Sequence, residues 1–281
     1  MEHNHIDEHD DNKPIGRILS RRDVLALLGG GGIALLTGCS VSQFLGDTPE
    51  STVIPTSTTS AATLPSCIVR PALTEGPYFV DMQLNRSDIR TEPSDGSIKE
   101  GALLRIIFNV SDVSAATCNP LAGAQVDVWH CDALGVYSGV ADPGFDTSGQ
   151  SWLRGYQITD EFGRAEFTTI YPGWYSGRAV HIHFKIRTDP QADAGYEFTS
   201  QFFFDEALTD IVHAQEPYAS KGYRNTLNST DNIFQSSDGL LTLNIVKVAD
   251  GYEATFDIGL DLSQPAPEAS GPGGPPPAGR P

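Results

Sequence analysis

Residues 179–186 read AVHIHFKI. Polar and apolar side chains alternate, which is the two-residue period of a strand with one face on a core. Ile182, Phe184 and Ile186 fall on the apolar face, and His181 and His183 fall together on the other. Related runs lie on both sides, at 103–110 (LLRIIFNV), 125–130 (QVDVWH), 163–170 (GRAEFTTI), 198–204, 240–248 and 252–258. Turn residues separate them: Asn119 with Pro120, 142–144 (DPG), 160–163 (DEFG), Pro172 with Gly173, 237–239 (SDG), and Asp250 with Gly251. Short strands punctuated by Gly and Pro define an all-β domain, and the pattern predicts an antiparallel β-sandwich with long loops and little helix. The best helical segment is 206–213. Residues 132–152 form a connection long enough to carry function.

The charge balance excludes one class of partner. The chain has 281 residues with 18 Lys and Arg against 36 Asp and Glu, a formal net charge of -18. A nucleic-acid binder neutralises phosphates with clustered cations, so neither nucleic acid nor an anionic membrane surface is an expected partner. Four cysteines are too few for a disulfide scaffold, which leaves stability to side-chain burial.

The ends read differently from the middle. Arg21 and Arg22 precede an apolar stretch at 24–36 that closes on LTGC at 36–39. At about 1.5 Å per residue this stretch spans roughly 20 Å, short of a bilayer core of about 30 Å, which favours a cleaved signal. The paired arginines resemble a twin-arginine export signal at 1–38, and the following motif resembles a lipobox in which Cys39 is acylated. His3, His5 and His9 belong to this leader and are read as solvated. Residues 39–63 are dense in Ser and Thr and read as a tether, and 264–281 as a disordered Pro/Gly-rich tail. The folded domain is expected over 64–263. Localisation is expected to be that of an exported cell-surface or periplasmic lipoprotein, touching a membrane only through the anchor.

The chemistry concentrates before and within 179–186. Two imidazoles two residues apart on one strand make a metal-ligand pair, although a half-buried structural pair gives the same spacing. The loop at 171–178 (YPGWYSGR) places Tyr175 and Arg178 nearby, and Tyr137 follows the end of the strand at 125–130. A phenol titrates near pH 10, so it binds a metal only when a strongly Lewis-acidic ion displaces its proton. Hard ferric iron fits two tyrosinates and two histidines better than zinc does.

At these residues the chain resembles the intradiol ring-cleavage dioxygenases, the protocatechuate, catechol and hydroxyquinol family, and in particular their secreted single-domain members. The resemblance runs through 74–79 (TEGPYF), 126–130 (VDVWH), 135–138 (GVYS), 154–160 (RGYQITD), 172–175 (PGWY), 178–184 (RAVHIHF) and 199–204 (TSQFFF). It implies a non-haem Fe(III) held by Tyr137, Tyr175, His181 and His183. Tyr175 is implied to be the axial ligand that leaves when substrate arrives. It further implies that Arg178 stabilises negative charge and that Gln201 lies beside the reacting groups. Tyr78 and Trp174 are candidates for the substrate-pocket wall, with core packing as the plainer role. The implied partners are a small aromatic diol and O2, and the implied product is a cis,cis-muconate-type diacid. The family's catechol branch carries an N-terminal helical dimerisation region. Here only a tether and a short stretch precede Glu75, so a monomer or weak oligomer is expected.

His130 matches no ligand of the family and is expected either to be structural or to support the ligands from behind, and His213 to be ordinary surface. Among Cys67, Cys118 and Cys131, one disulfide and one free thiol are expected. Cys118 and Cys131 flank one strand, roughly 23 Å apart at 3.3 Å per residue, too far to pair if it is straight. Two other readings share the pattern: a binding module for an aromatic or carbohydrate ligand, and a zinc hydrolase using the same histidines.

Overall fold

The computed structural model describes residues 68–114, 117–190 and 195–268. The chain divides into two units, Met1–Thr59 and Ser60–Pro281. The first lies outside the described residues, as do the rest of the leader and tether, Cys39, Cys67 and 269–281. Within the second the elements are β1 (Leu103–Asp112), β2 (Asn119–Pro120), β3 (Gln125–Trp129), β4 (Ala141–Asp142), β5 (Phe145–Asp146), β6 (Arg154–Ile158), β7 (Arg164–Ile170), β8 (His181–Arg187), β9 (Glu197–Phe203), α1 (Glu206–His213), α2 (Asn232–Gln235), β10 (Ile245–Val248) and β11 (Gly251–Leu260). Short 3-10 turns occupy Tyr218–Lys221 and Asn228–Thr230.

Two sheets face each other. One runs β10-β11-β1, with β2 and β7 both pairing the far edge of β1; the other runs β6-β3-β8-β9. Alternation decides what lies between them: Leu104, Ile106, Phe108 and Val110 of β1 meet Ile182, Phe184 and Ile186 of β8 in one buried cluster. Phe108 sits at its centre, its ring 5.3–6.0 Å from those of Phe167, Phe184, Phe202 and Phe256. Each such side chain contributes about 1.5–3 kcal/mol by leaving water.

The sandwich and the scarcity of helix match expectation; β6 is a strand that none of the expected runs covered, and three further details differ. β1 and β11 pair in parallel, from Leu104 with Tyr252 to Asp112 with Leu260, so that sheet is mixed rather than wholly antiparallel. The strand expected over 240–248 shortens to Ile245–Val248, because Leu241 and Leu243 are buried and flank a single bridge between Phe203 and Thr242. β8 begins at His181, two residues later than the alternation suggested. Among the described residues no helix is long and apolar enough to cross a membrane. Cys118 is disulfide-bonded, and Cys131 is a buried free thiol.

Candidate metal centre

The outer face of the β6-β3-β8-β9 sheet is polar, and register sets its order. Trp129 pairs with Arg154 on one side and His183 on the other, and His183 pairs with Gln201. Arg154, Trp129, His183 and Gln201 therefore form one row across four strands, all of them buried. His181 begins the next position along β8. The indole of Trp129 stacks on the His183 imidazole, with centroids 5.0 Å apart and planes 8° apart.

Two loops bring the tyrosines onto this face. Asp132 Oδ1 accepts from the backbone N–H of Leu134 and Val136, each at 3.0 Å, and so shapes the turn leading to Tyr137. Beyond it, Thr147 Oγ1 donates to the Tyr137 carbonyl at 2.6 Å, and the Arg154 guanidinium donates to the Ser138 carbonyl at 3.0 and 2.7 Å. The Tyr175 loop packs against that turn backbone to backbone. A Cβ at Gly135 would meet the Trp174 carbonyl, and one at Gly173 would meet the Ala133 carbonyl, so both positions require glycine.

Four donor side chains of the predicted set converge. His181 Nε2 lies 3.0 Å from His183 Nε2, 3.2 Å from the Tyr175 hydroxyl and 3.5 Å from the Tyr137 hydroxyl. The Ala179 carbonyl accepts from His181 Nδ1 at 2.7 Å, which leaves the Nε2 lone pair facing inward. Burial, and then the charge of Arg178, push both imidazoles well below their ordinary values. Burial raises Tyr137 well above the ordinary phenol value and lifts Tyr175 to about 12. Electron-rich atoms thus face one another in a buried space, an arrangement that a Lewis-acidic cation satisfies. Among the described residues no group of three or more His, Cys, Asp and Glu is placed to hold a metal. A set completed by phenols suits ferric iron better than zinc.

The other predicted residues separate. Arg178 Nη1 lies 3.4 Å from His181 Nε2, and its Nη2 donates to Gln201 Oε1 at 2.6 Å. Tyr78 stacks on Tyr137 at 4.5 Å, lies edge-on to Tyr175 at 6.3 Å, and donates to Asp142 at 2.8 Å. Trp174 instead donates to the Gly222 carbonyl at 3.2 Å, with the Lys221 ammonium 5.0 Å from its ring.

The long excursion between β9 and β10, which no motif in the sequence ties to the metal ligands, is part of this site. It contacts the 171–179 loop at successive points. Tyr218 donates to the Tyr171 carbonyl at 2.6 Å, His213 Nε2 to the Pro172 carbonyl at 3.0 Å, and Asn225 to Ser176 Oγ at 3.0 Å. Asp231 accepts from Arg178 and from the Ala179 N–H. His213 is therefore not ordinary surface: it is half-buried, stacked on Tyr218 at 5.0 Å, and burial lowers its pKa. Arg154 was also missed as an individual residue. It is 2% exposed, burial lowers it to about 10, and its guanidinium lies 5.9 Å over the Tyr137 ring.

His130 is structural, as expected. The Cys131 carbonyl accepts a hydrogen bond from His130 Nδ1 at 2.8 Å, so Nε2 accepts from Thr169 Oγ1 at 2.6 Å. Burial lowers its pKa to about 4. Because the folded value lies below the unfolded one, the stabilisation is complete above about pH 6.5 and falls away as pH drops towards 4, by about 3 kcal/mol in all. Denaturant unfolding between pH 7 and 4 should show this slope in the wild type and less of it in His130→Gln; equal slopes would contradict the assignment.

The dioxygenase family model matches residues 74–179. Chlorocatechol 1,2-dioxygenase of Pseudomonas putida is 28% identical over 151 residues, 47% of this chain and 52% of that protein. Catechol 1,2-dioxygenase of Candida albicans is 29% identical over 168 residues, 52% of this chain and 47% of that protein. The chain thus spans about half the length of these curated relatives. An intradiol ring-cleavage dioxygenase from Tetranychus urticae superposes with a TM-score of 0.62 at 30% identity, covering 71% of this chain and 98% of that one. With that identity and coverage, the chain belongs to the intradiol ring-cleavage dioxygenases.

Proposed function

We propose that the protein is a non-haem Fe(III) dioxygenase that cleaves catechol-type aromatic diols between the two hydroxyl-bearing carbons, yielding cis,cis-muconate-type diacids. The observation that carries this reading is the convergence of Tyr137, Tyr175, His181 and His183 around one buried point. These four residues would hold the iron, which supplies the Lewis acidity that makes a catecholate reactive towards O2. The chain's own groups do the rest. Tyr175 lies in the loop, half-buried; deprotonated to the tyrosinate that iron would bind, it is the group placed to take a substrate proton. Arg178 offers a fixed cation to negative charge developing on the substrate. Gln201, 0% exposed, holds that cation in place. Tyr78, stacked on Tyr137, forms a wall for a planar ring.

Tyrosinate bound to ferric iron absorbs visible light, so the iron-loaded protein should be red-brown and should consume O2 with catechol, protocatechuate or hydroxyquinol. A colourless protein filled with zinc would favour the hydrolase. A coloured, iron-loaded protein that consumes no O2 with any of them would favour a binding module.

We further propose export through the twin-arginine-type signal and anchoring at Cys39, with a monomer or weak oligomer outside the cell acting on small aromatic diols. Mass spectrometry of the cell-extracted protein should find a mature N-terminus at an acylated Cys39, and Cys39→Ser should release the protein from membranes. An unmodified Cys39 in uncleaved protein would contradict the anchor.

A further inference from the structure

The excursion between β9 and β10 ends its run of contacts on Asp231, and this contact differs from the others. Asp231 is 3% exposed, and its carboxylate is fully engaged. Oδ2 accepts from Arg178 Nε at 2.9 Å and from the Ala179 N–H at 2.8 Å. Oδ1 accepts from the N–H groups of Ile233 and Phe234 at 2.7 and 3.2 Å, capping α2. With both oxygens held by backbone donors, the carboxylate cannot turn, and its direction is fixed by the helix it caps.

The guanidinium is gripped from the other side as well. Nη2 donates to Gln201 Oε1 at 2.6 Å, and Gln201 Nε2 donates to the Thr74 carbonyl at 2.7 Å, which sets the orientation of the amide. Two of the three guanidinium nitrogens are thereby tied down. The remaining one, Nη1, faces His181 Nε2 at 3.4 Å. A planar fork held at two corners has its third corner aimed, whereas the same side chain, 16% exposed, has room to swing towards solvent once a corner is released.

We propose that Asp231 is a positioning residue for ring cleavage: through Arg178 Nε it holds the guanidinium so that Nη1 faces the reacting groups. The role rests on the intradiol reading given above. A competing role, that Asp231 only caps α2, is separated from it by substitutions that keep a capping oxygen. Asp231→Asn and Asp231→Ser both retain an acceptor for Ile233 and Phe234 and both remove the charge facing Arg178.

In iron-loaded full-length protein, each variant is expected to retain iron and colour while kcat falls about 10- to 100-fold and KM changes less than about threefold. In an Arg178→Gln background the same changes should add less than about twofold, since a residue acting through Arg178 has nothing left to orient. A readout independent of turnover comes from NMR of the iron-free protein. The Arg178 Nε–H should be a sharp, slowly exchanging signal that is lost in both variants. Turnover within about twofold of wild type in a folded variant, or equal losses with and without Arg178, would overturn the proposal. Wild-type protein with bound iron and a protected Arg178 Nε–H but no ring cleavage would remove the intradiol reading instead, and the role of Asp231 in it.

Discussion

Replacing His181 with Ala is expected to abolish metal binding, colour and turnover together, leaving activity below about one thousandth of wild type. Its Nε2 is the atom to which the Tyr137, Tyr175 and His183 donors all come within 3.5 Å. Its Nδ1 bonds only to Ala179, two residues away in the same chain segment. The imidazole therefore serves the centre far more than the sheet, whose apolar contacts come from Ile182, Phe184 and Ile186 on the opposite face. Far-UV circular dichroism should show an intact sandwich while iron analysis and visible absorption show an empty centre. A variant that keeps its iron and its colour would refute the ligand assignment.

Arg178→Gln should separate chemistry from assembly. The charge lies beside the donors but is not among them, so iron content and colour should persist while kcat falls about 10²- to 10³-fold, the usual effect of removing a preorganised charge-stabilising donor. Arg178→Lys is expected to recover little. An ammonium is a point charge and cannot span the Asp231 carboxylate and the Gln201 amide as the planar fork does. Steady-state oxygen uptake with catechol measures both variants, and kcat of Arg178→Gln within tenfold of wild type would remove the arginine from the mechanism.

Much of this site was legible in the sequence because it follows local rules. In β8, strand periodicity alone places His181 and His183 on one face and the core residues on the other, and the four-strand register then sets Trp129 and Gln201 beside His183. The turn residues before Tyr137 and the Pro172–Gly173 turn before Tyr175 mark loops able to reach that face. What was not legible depends on contacts distant in sequence. The parallel partner of β1 is β11, at the other end of the domain, and strand alternation carries no information about direction. Asp231 lies 53 residues from Arg178 and is one acid among 36 Asp and Glu, without a motif of its own. His213 gains its role only when α1 folds back onto Pro172. The residues 240–244 misled because buried leucines serve a core equally well outside a strand.

Ring cleavage between the two hydroxyl-bearing carbons is decided by identifying the product formed from catechol by protein whose iron has been quantified in the same sample. The expected product is cis,cis-muconate carrying both atoms of O2, formed in proportion to bound iron. An extradiol semialdehyde, or intact catechol after incubation with fully iron-loaded protein, would contradict it.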